Sequence, residues 1–178
     1  MASKTLNPVR RQGVRHLSLV PTGVIRVLIL HTHALERAGL CVLLEREADI
    51  DVVGEASEIE QAVLLGSRLR PDVMLVDAGP GGLDAYEASR RVLSDPQLRD
   101  TAVLLLSRNH GDEHVLDALR AGASGLLFED SQPSDLVSAV RLLATGGTLL
   151  PRSAARRVMA AIERADHRPY PRPIPVTT

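Results

Sequence analysis

Five short apolar segments alternate along the chain with five segments of helical periodicity, and this alternation restricts the fold more than any other feature of the sequence. The apolar segments cover residues 24–30, 49–54, 71–77, 102–107 and 124–128, and the helical patterns cover residues 34–47, 57–69, 84–94, 112–121 and 133–145. Strands that alternate with helices pair in parallel, because each helix carries the chain back to the start of the next strand. The sequence therefore predicts an α/β protein with helices on both faces of a five-stranded parallel sheet.

The residue types of this 178-residue chain fit such a layered protein. Apolar residues make up 44% of the chain and aromatic residues only 2%, so the core must be aliphatic. Cys41 is the only cysteine, which excludes an internal disulfide, and we expect a small buried apolar group in a reducing environment. No apolar run reaches the roughly 18–20 residues of a membrane span. We therefore expect a cytoplasmic protein without membrane contact.

The chain divides into four segments by composition. Residues 1–23 form a basic arm without sustained periodicity, and residues 24–150 hold the alternating strands and helices. Residues 151–166 contain an extra amphipathic helix over 153–165, and residues 167–178 carry four prolines in twelve positions, typical of an extended tail or linker. The two basic ends fit either ordinary exposed termini or arms that reach nucleic acid or an acidic partner.

Asp77 ends an apolar predicted strand, directly after four consecutive apolar residues. In an open parallel sheet this position lies at the carboxyl ends of the strands, where doubly wound proteins bind their ligands. A carboxylate there can equally cap the loop that follows the strand. Both explanations of Asp77 stay open on this pattern alone.

Longer motifs surround these elements in a fixed order. They read IRVLIL followed by HALERAGL, DIDVVGEA, RPDVMLVDAGPGGLDA, and ALRAGASGLLFED followed by PSDLVSAVRLLATGG. Over residues 25 to about 150 they resemble the receiver domain of a two-component response regulator, in the subfamily with a LuxR-type helix-turn-helix output. The resemblance implies a flavodoxin-like sheet of strand order 2-1-3-4-5. It also implies a bacterial protein of phosphorelay signal transduction and transcription regulation.

The same resemblance assigns roles to six positions. In the family, two acidic residues after the first strand and a phosphoacceptor Asp hold Mg²⁺, a hydroxyl ends the fourth strand, and a Lys follows the fifth. Here Asp77 matches the phosphoacceptor, Ser107 the hydroxyl, His31 and Thr32 the acidic pair, Glu129 the Lys, and Leu126 the aromatic switch residue. The pocket therefore keeps two of the family's groups and lacks the others.

These differences predict a degenerate, atypical receiver. A neutral imidazole and a hydroxyl supply neither the charge nor the hard oxygen ligands that Mg²⁺ prefers. A phosphoryl group adds about −1.5 to −2 charges at neutral pH, which Glu129 would repel rather than offset. We therefore expect Asp77 to be a vestigial phosphoacceptor in a phosphorylation-independent regulatory or dimerisation module that needs no cofactor. The alternative is a working receiver that a histidine kinase phosphorylates on Asp77.

A cluster of Asp77, His31 and Glu129 would then replace the lost metal and Lys, since an imidazolium relieves the repulsion between two carboxylates. An alternative occupant is a transition metal such as Zn²⁺, bound by His31, His33, Asp77 and Glu129, with His110 as a further ligand. Another alternative is a small organic effector in this cavity, as inferred for the atypical regulators of antibiotic production that the chain resembles.

The sequence offers no support for an enzyme. It contains no nucleophile elbow, P-loop or dinucleotide fingerprint. An aspartyl-phosphate hydrolase of the haloacid dehalogenase type would need a second Asp two residues after Asp77, and that position is Gly79.

We instead predict a homodimer, or a heterodimer with another regulator, that forms without phosphate. The predicted surface is the fifth helix, the 153–165 helix, or both; the apolar stripe of the fifth helix consists of Leu136, Val137, Val140, Leu143 and Ala144. DNA would be contacted only through an output domain that this chain does not contain. The Pro-rich end is compatible with a stand-alone receiver and with a linker into such a domain.

Overall fold

Five parallel strands form the centre of the structure, as the alternating pattern predicts. The computed structural model describes residues 23–79, 84–108, 112–150 and 155–156. Over these residues the elements are β1 (Ile25–Leu30), α1 (Ala34–Leu44), β2 (Ile50–Ala56), α2 (Ile59–Leu69), β3 (Val73–Asp77), α3 (Ala85–Ser94), β4 (Ala102–Ser107), α4 (Asp112–Arg120), β5 (Gly125–Phe128) and α5 (Pro133–Ala144). The strands pair in the order β2-β1-β3-β4-β5, and every pair is parallel. The predicted flavodoxin-like fold and its strand order are therefore confirmed.

β3 lies at the middle of a core that extends over both faces of the sheet. Val73 and Leu75 belong to the face covered by α1 and α5, whereas Met74 and Val76 belong to the face covered by α2, α3 and α4. All four side chains are at most 1% exposed. A strand buried on both faces has no solvent side for polar residues, which explains the continuous apolar run in the sequence.

Most element boundaries lie within a few residues of their predicted positions. β2 extends two residues further than predicted, to Ala56, because this residue pairs with Leu30 at the end of β1. The spacing of Asp84 and Glu87 predicts an acidic helix start, and Asp84 indeed caps α3, since its Oδ1 accepts a hydrogen bond from the Glu87 N–H at 2.9 Å. The strand pairing and the cap thus set where these elements begin and end.

The sequence Ser57-Glu58-Ile59-Glu60 predicts a capping box at the start of α2, with Ser57 as the N-cap residue and Glu60 three residues later. This prediction is wrong. Glu58, and not Ser57, is the N-cap residue, and its side chain makes no cap hydrogen bond. The Ser57 N–H donates instead to Oε1 of Gln61 at 3.1 Å. A glutamine side chain from the first turn therefore binds the backbone that the predicted Ser–Glu pair would have satisfied.

Three predicted segments lie largely outside the described residues. They are the basic arm, of which only Gly23 is described, the tail over 167–178, and the 153–165 helix, of which only Ala155 and Arg156 are described. The segment boundaries derived from composition therefore stay predictions. Among the described helices, none is long and apolar enough to cross a membrane.

The carboxyl edge of the sheet collects the polar residues that follow the strands. β1 is followed by His31, β3 ends in Asp77, β4 ends in Ser107, and β5 is followed by Glu129. Backbone hydrogen bonds join neighbouring strand ends: the Glu129 N–H donates to the Ser107 carbonyl, and the His31 N–H to the Ala56 carbonyl, both at 3.0 Å. Parallel pairing thus brings side chains from distant parts of the sequence to one edge.

Cys41 reports on the packing of α1 against this core. The side chain is 8% exposed, as expected for a small buried group, and burial together with the nearby Glu55 carboxylate raises its pKa to about 11.

Because only the thiolate is alkylated, iodoacetamide should modify native Cys41 roughly 100-fold more slowly than the unfolded chain at mildly alkaline pH. Mass spectrometry with and without urea measures both rates. Equal rates would contradict the packing of α1.

Candidate functional site

Asp77 is almost fully buried at the end of β3, with 1% of its side chain exposed. Its Oδ1 accepts a hydrogen bond from the Gly79 N–H at 2.8 Å, and its Oδ2 accepts one from the Thr32 hydroxyl at 3.3 Å. The first bond caps the loop after β3, and the second reaches the turn after β1. Both carboxylate oxygens therefore have a donor from the protein, as a buried carboxylate requires.

His31 is buried at the end of β1, and its hydrogen bonds fit a neutral imidazole. Nδ1 accepts a hydrogen bond from the His33 N–H at 3.1 Å, which requires an unprotonated Nδ1. The ring proton then lies on Nε2, 3.1 Å from Oε2 of Glu36. Nδ1 also lies 3.7 Å from Oδ2 of Asp77, but both atoms are acceptors and the distance is too long for a hydrogen bond. His31 is therefore joined to Glu36 rather than to Asp77.

Arg108 lies between two carboxylates beside this imidazole. Its Nε donates to Oε2 of Glu129 at 2.6 Å, and its Nη2 donates to the two carboxylate oxygens of Glu36 at 2.7 and 2.9 Å. Arg108 directly follows β4, Glu129 directly follows β5, and Glu36 belongs to the first turn of α1. We call these three residues the Glu36–Arg108–Glu129 triad. The triad ties α1 to the ends of two strands.

The triad changes the electrostatics that the sequence predicts for Glu129. The hydrogen bond from Arg108 holds the pKa of Glu36 below its ordinary range. The two carboxylates in turn raise the pKa of Arg108, so the guanidinium stays charged. Arg108 therefore offsets the negative charge that replaces the family's Lys. All three side chains are partly exposed, so solvent screening keeps the contribution of each pair to stability small.

Sequence reasoning missed Arg108 and Glu36. The signals present in the sequence were an arginine directly after the hydroxyl that ends β4 and an acidic residue early in the helix after β1. Charged residues at helix starts and loop entries are common on exposed surfaces, so neither signal stands out by itself. These two residues form part of the site because the strand ends converge and bring Arg108 within hydrogen-bonding distance of Glu36 and Glu129.

Of the remaining predicted residues, Ser107, Leu126 and His33 are described and lie at or near the same edge. Ser107 is 3% exposed at the end of β4, and Leu126 is 3% exposed within β5, where it packs in the cluster under α2, α3 and α4. His33 is exposed, and its ring centre lies 5.7 Å from that of His31 in an edge-to-face arrangement. His110 lies outside the described residues.

Comparison with known proteins identifies the family. The model of the response regulator receiver domain matches residues 27–141, more than half of the chain. The chain belongs to the response regulator receiver family. It is similar to the transcriptional regulatory protein LiaR of Bacillus subtilis, with 31% identity over 148 residues, 83% of this chain and 69% of LiaR. It is also similar to the DNA-binding transcriptional activator DevR/DosR of Mycobacterium tuberculosis, with 33% identity over 83% of this chain and 67% of that protein.

Solved structures agree with this assignment. A LuxR-family response regulator from Aurantimonas superposes with a TM-score of 0.68 at 28% identity, over 80% of this chain and 99% of that one. The receiver domain of the response regulator NarL from Mycobacterium tuberculosis superposes with a TM-score of 0.64 at 35% identity, over 70% of this chain and 98% of that one. The chain spans about two thirds of the length of the curated relatives described above. It therefore contains a receiver of the LuxR-type regulators of transcription, which is a signalling domain.

The Mg²⁺ that receivers use does not fit the donors beside Asp77. The turn after β1 offers Nδ1 of His31, which already accepts a backbone hydrogen bond, and the Thr32 hydroxyl, which already donates to Asp77. Mg²⁺ prefers oxygen ligands with near-octahedral geometry and usually one or two carboxylates. Of these three side chains only Asp77 is a carboxylate, so the turn lacks the charge that would hold the ion.

The four predicted transition-metal ligands do not form a single group. Among the described residues, ligand atoms of His31, His33 and Asp77 lie within 4.8 Å of one another, and so do those of His31, Glu36 and Glu129. In the first group, Nδ1 of His31 is already hydrogen-bonded to the backbone. In the second, the guanidinium of Arg108 binds both carboxylates. The triad thus has its own cation.

Replacing Arg108 tests the triad. In an Arg108→Ala variant the pKa of Glu36 should rise towards its ordinary value, because its strongest hydrogen-bond donor is gone. A lowered carboxyl pKa stabilises the fold above the ordinary pKa, and this effect is lost as the pH falls through the lowered value. The stability difference between variant and wild type should therefore be present at neutral pH and vanish in acid. Carboxyl NMR titration and urea unfolding at several pH values measure both effects.

Arg91→Ala is the matched control, because Arg91 also bridges two carboxylates, those of Glu60 and Glu87, on the other face of the sheet. It should raise the pKa of Glu87, because Glu87 loses the hydrogen bond that it accepts from Arg91, and it should leave the titration of Glu36 unchanged. A Glu36 titration that does not respond to Arg108→Ala would contradict the role of the triad.

Proposed function

We propose that the chain is a phosphorylation-independent regulatory module of an atypical response regulator in transcriptional control, and that Asp77 is a vestigial phosphoacceptor. The Glu36–Arg108–Glu129 triad is the observation that carries this proposal. The guanidinium of Arg108 is already paired with two carboxylates, so its charge is largely neutralised and would contribute little to binding a phosphoryl group on Asp77.

The surroundings of Asp77 support the same proposal. A phosphoryl group would add about −1.5 to −2 charges in a pocket where the carboxylate is already almost fully buried. The two donors to Asp77, the Gly79 N–H and the Thr32 hydroxyl, are both neutral. Buried charge that lacks a charged partner is strongly unfavourable. An acyl phosphate would therefore be poorly stabilised here.

A working receiver is the second candidate function, and the position of Arg108 favours it. A Cβ placed on Gly79 would lie 3.0 Å from Oδ1 of Asp77 and 3.9 Å from Nε of Arg108, so both groups border the same small space. If Glu129 released Arg108, the guanidinium could approach a phosphoryl group on Asp77. A histidine kinase could then act on this chain despite the missing Lys.

A small phosphodonor separates the two candidates. Wild-type protein incubated with acetyl phosphate and Mg²⁺ should show no mass gain of about 80 Da, because the charged groups that support an acyl phosphate are absent. Intact-mass spectrometry makes the measurement. The matched control is a variant with His31→Asp, Thr32→Asp and Glu129→Lys, which restores those groups and should accept the phosphoryl group. A wild-type adduct that Asp77→Asn removes would establish the working receiver instead.

We further propose that the module acts by self-association or by pairing with another regulator. The predicted surface on α5 is less suitable than its sequence indicates, because its apolar stripe lies mostly in the core; the buried residues are Leu136, Val137, Val140 and Leu143. The exposed face of α1 fits an interface better. Leu35 is 86% exposed and Val42 is 60% exposed, and they lie seven residues apart on one side of the helix.

Gly39 lies between these two residues on the same face of α1. A Cβ placed on it would meet no atom of the rest of the described protein within 4 Å. Glycine inside a helix costs about 1 kcal/mol relative to alanine, and no contact among the described residues gives a reason for that cost. Close approach of a second helix is such a reason. The 153–165 helix stays a predicted part of the interface.

Self-association should be visible without phosphorylation. Untreated wild-type protein should sediment as a dimer at micromolar concentration, whereas a Leu35→Asp and Val42→Asp variant should be monomeric, because charge cannot be buried in an apolar interface. Analytical ultracentrifugation is the measurement. Leu64→Asp on α2 is the matched control, since Leu64 is 53% exposed on the other face of the sheet and should leave the dimer intact. A wild-type protein that stays a monomer would contradict the proposal.

Any contact with DNA is proposed to come from an output domain outside this chain. DevR/DosR is named a DNA-binding transcriptional activator, and this chain matches two thirds of it. The described residues form one receiver and contain no helix that could serve as a separate recognition helix beside the five that cover the sheet. The receiver would then control such a domain through its state of association.

A further inference from the structure

A cavity of about 350 Å³ lies between α1 and α5, next to the carboxyl ends of β4 and β5. Its apolar wall contains Leu40, Leu43, Leu106, Leu127 and Leu136. Its polar end is formed by His31 and the Glu36–Arg108–Glu129 triad. The volume lies at the lower end of the range for small-molecule sites, and a mostly apolar wall with a few polar groups at one end is typical of them.

The charge at the polar end restricts what the cavity can bind. Two carboxylates face one guanidinium, and His31 is neutral by its hydrogen bonds, so one negative charge remains. The Nε and Nη2 groups of Arg108 donate hydrogen bonds to the two carboxylates. Glu129 uses only Oε2 for this contact, and among the described residues nothing hydrogen-bonds its Oε1. Oε1 of Glu129 can therefore accept a hydrogen bond from a ligand, and the net negative charge of the polar end repels anions.

We propose that this cavity binds a small organic amine, with its ammonium group at Oε1 of Glu129 and its apolar body among the leucines between α1 and α5. This inference rests on the proposed function, because a ligand here would regulate the module without a phosphate. The ligand would contact α1 directly, and α1 carries the exposed face of Leu35 and Val42. A ligand in the cavity would thus contact α1, the helix through which self-association is proposed to occur.

Two probes with the same apolar body and opposite charge test the charge preference. The 178-residue chain, labelled with ¹⁵N, is titrated with 4-phenylbutylamine and with 4-phenylbutyrate, and amide NMR shifts are followed. The amine should give saturable shifts at Leu40, Leu127 and Glu129, and the acid should bind about tenfold more weakly or not at all. Equal binding of both probes, or shifts that never saturate, would overturn the proposal.

Variants locate the site. Leu40→Trp fills the cavity from α1 and should weaken binding of the amine at least about tenfold. Leu64→Trp, on the other face of the sheet, is the matched control and should bind as wild type does. Leu127→Trp fills the cavity from β5 and serves if the first variant does not fold. Glu129→Gln should reduce the preference for the amine over the acid. Unchanged amine binding in a folded cavity-filling variant would overturn the site.

Failure of this inference is distinguishable from failure of the proposed function. Phosphorylation of Asp77 by acetyl phosphate would overturn phosphorylation independence and leave the amine titration to stand on its own. Amine binding that neither Leu40→Trp nor Leu127→Trp weakens, in a protein that takes no phosphoryl group from acetyl phosphate, would overturn the amine site and leave phosphorylation independence in place.

Discussion

The ion pairs of Arg108 with Glu36 and Glu129 are the interactions on which the rest of the site depends. They join the first turn of α1 to the loops after β4 and β5, which lie far apart in the sequence. A guanidinium is suited to this position because it is planar and presents several N–H groups in fixed directions, so one side chain can bind two carboxylates at once. A lysine ammonium would bind the same carboxylates as a point charge, with less control of their orientation. The triad thereby fixes the polar end of the cavity between α1 and α5.

The buried carboxylate of Asp77 is stabilised by neutral donors, and this separates it from the charged groups of the triad. Its oxygens accept from the Gly79 N–H and the Thr32 hydroxyl, while His31 directs its ring proton towards Glu36. Each group thus has its partner inside the protein. In the receiver family the corresponding charges are shared with an ion and with a phosphoryl group. The proposal of phosphorylation independence rests on this internal satisfaction of the site.

One helix connects the three features that the proposals concern. Successive residues of α1 point in different directions, since each is turned by 100° from the one before. Leu44 enters the core, Glu36 binds Arg108, Leu40 lines the cavity, and Leu35 and Val42 lie exposed. A ligand in the cavity would therefore contact the same helix that presents the exposed apolar face. Under the proposals above, this arrangement would provide a physical route from ligand binding to self-association without phosphorylation.

The sequence by itself determined the elements of this protein, because strands buried on both faces and helices buried on one face leave different periodicities. The run before Asp77 and the cap at Asp84 are local signals of this kind. The strand order came from the resemblance to receivers, since periodicity does not say which strands are neighbours. The tertiary structure alone decided the partners in the site. Glu129 and Arg108 are 21 residues apart, and Arg108 and Glu36 are 72 apart. Nothing local in the sequence records such contacts, because they exist only where parallel strands end at the same edge of a sheet.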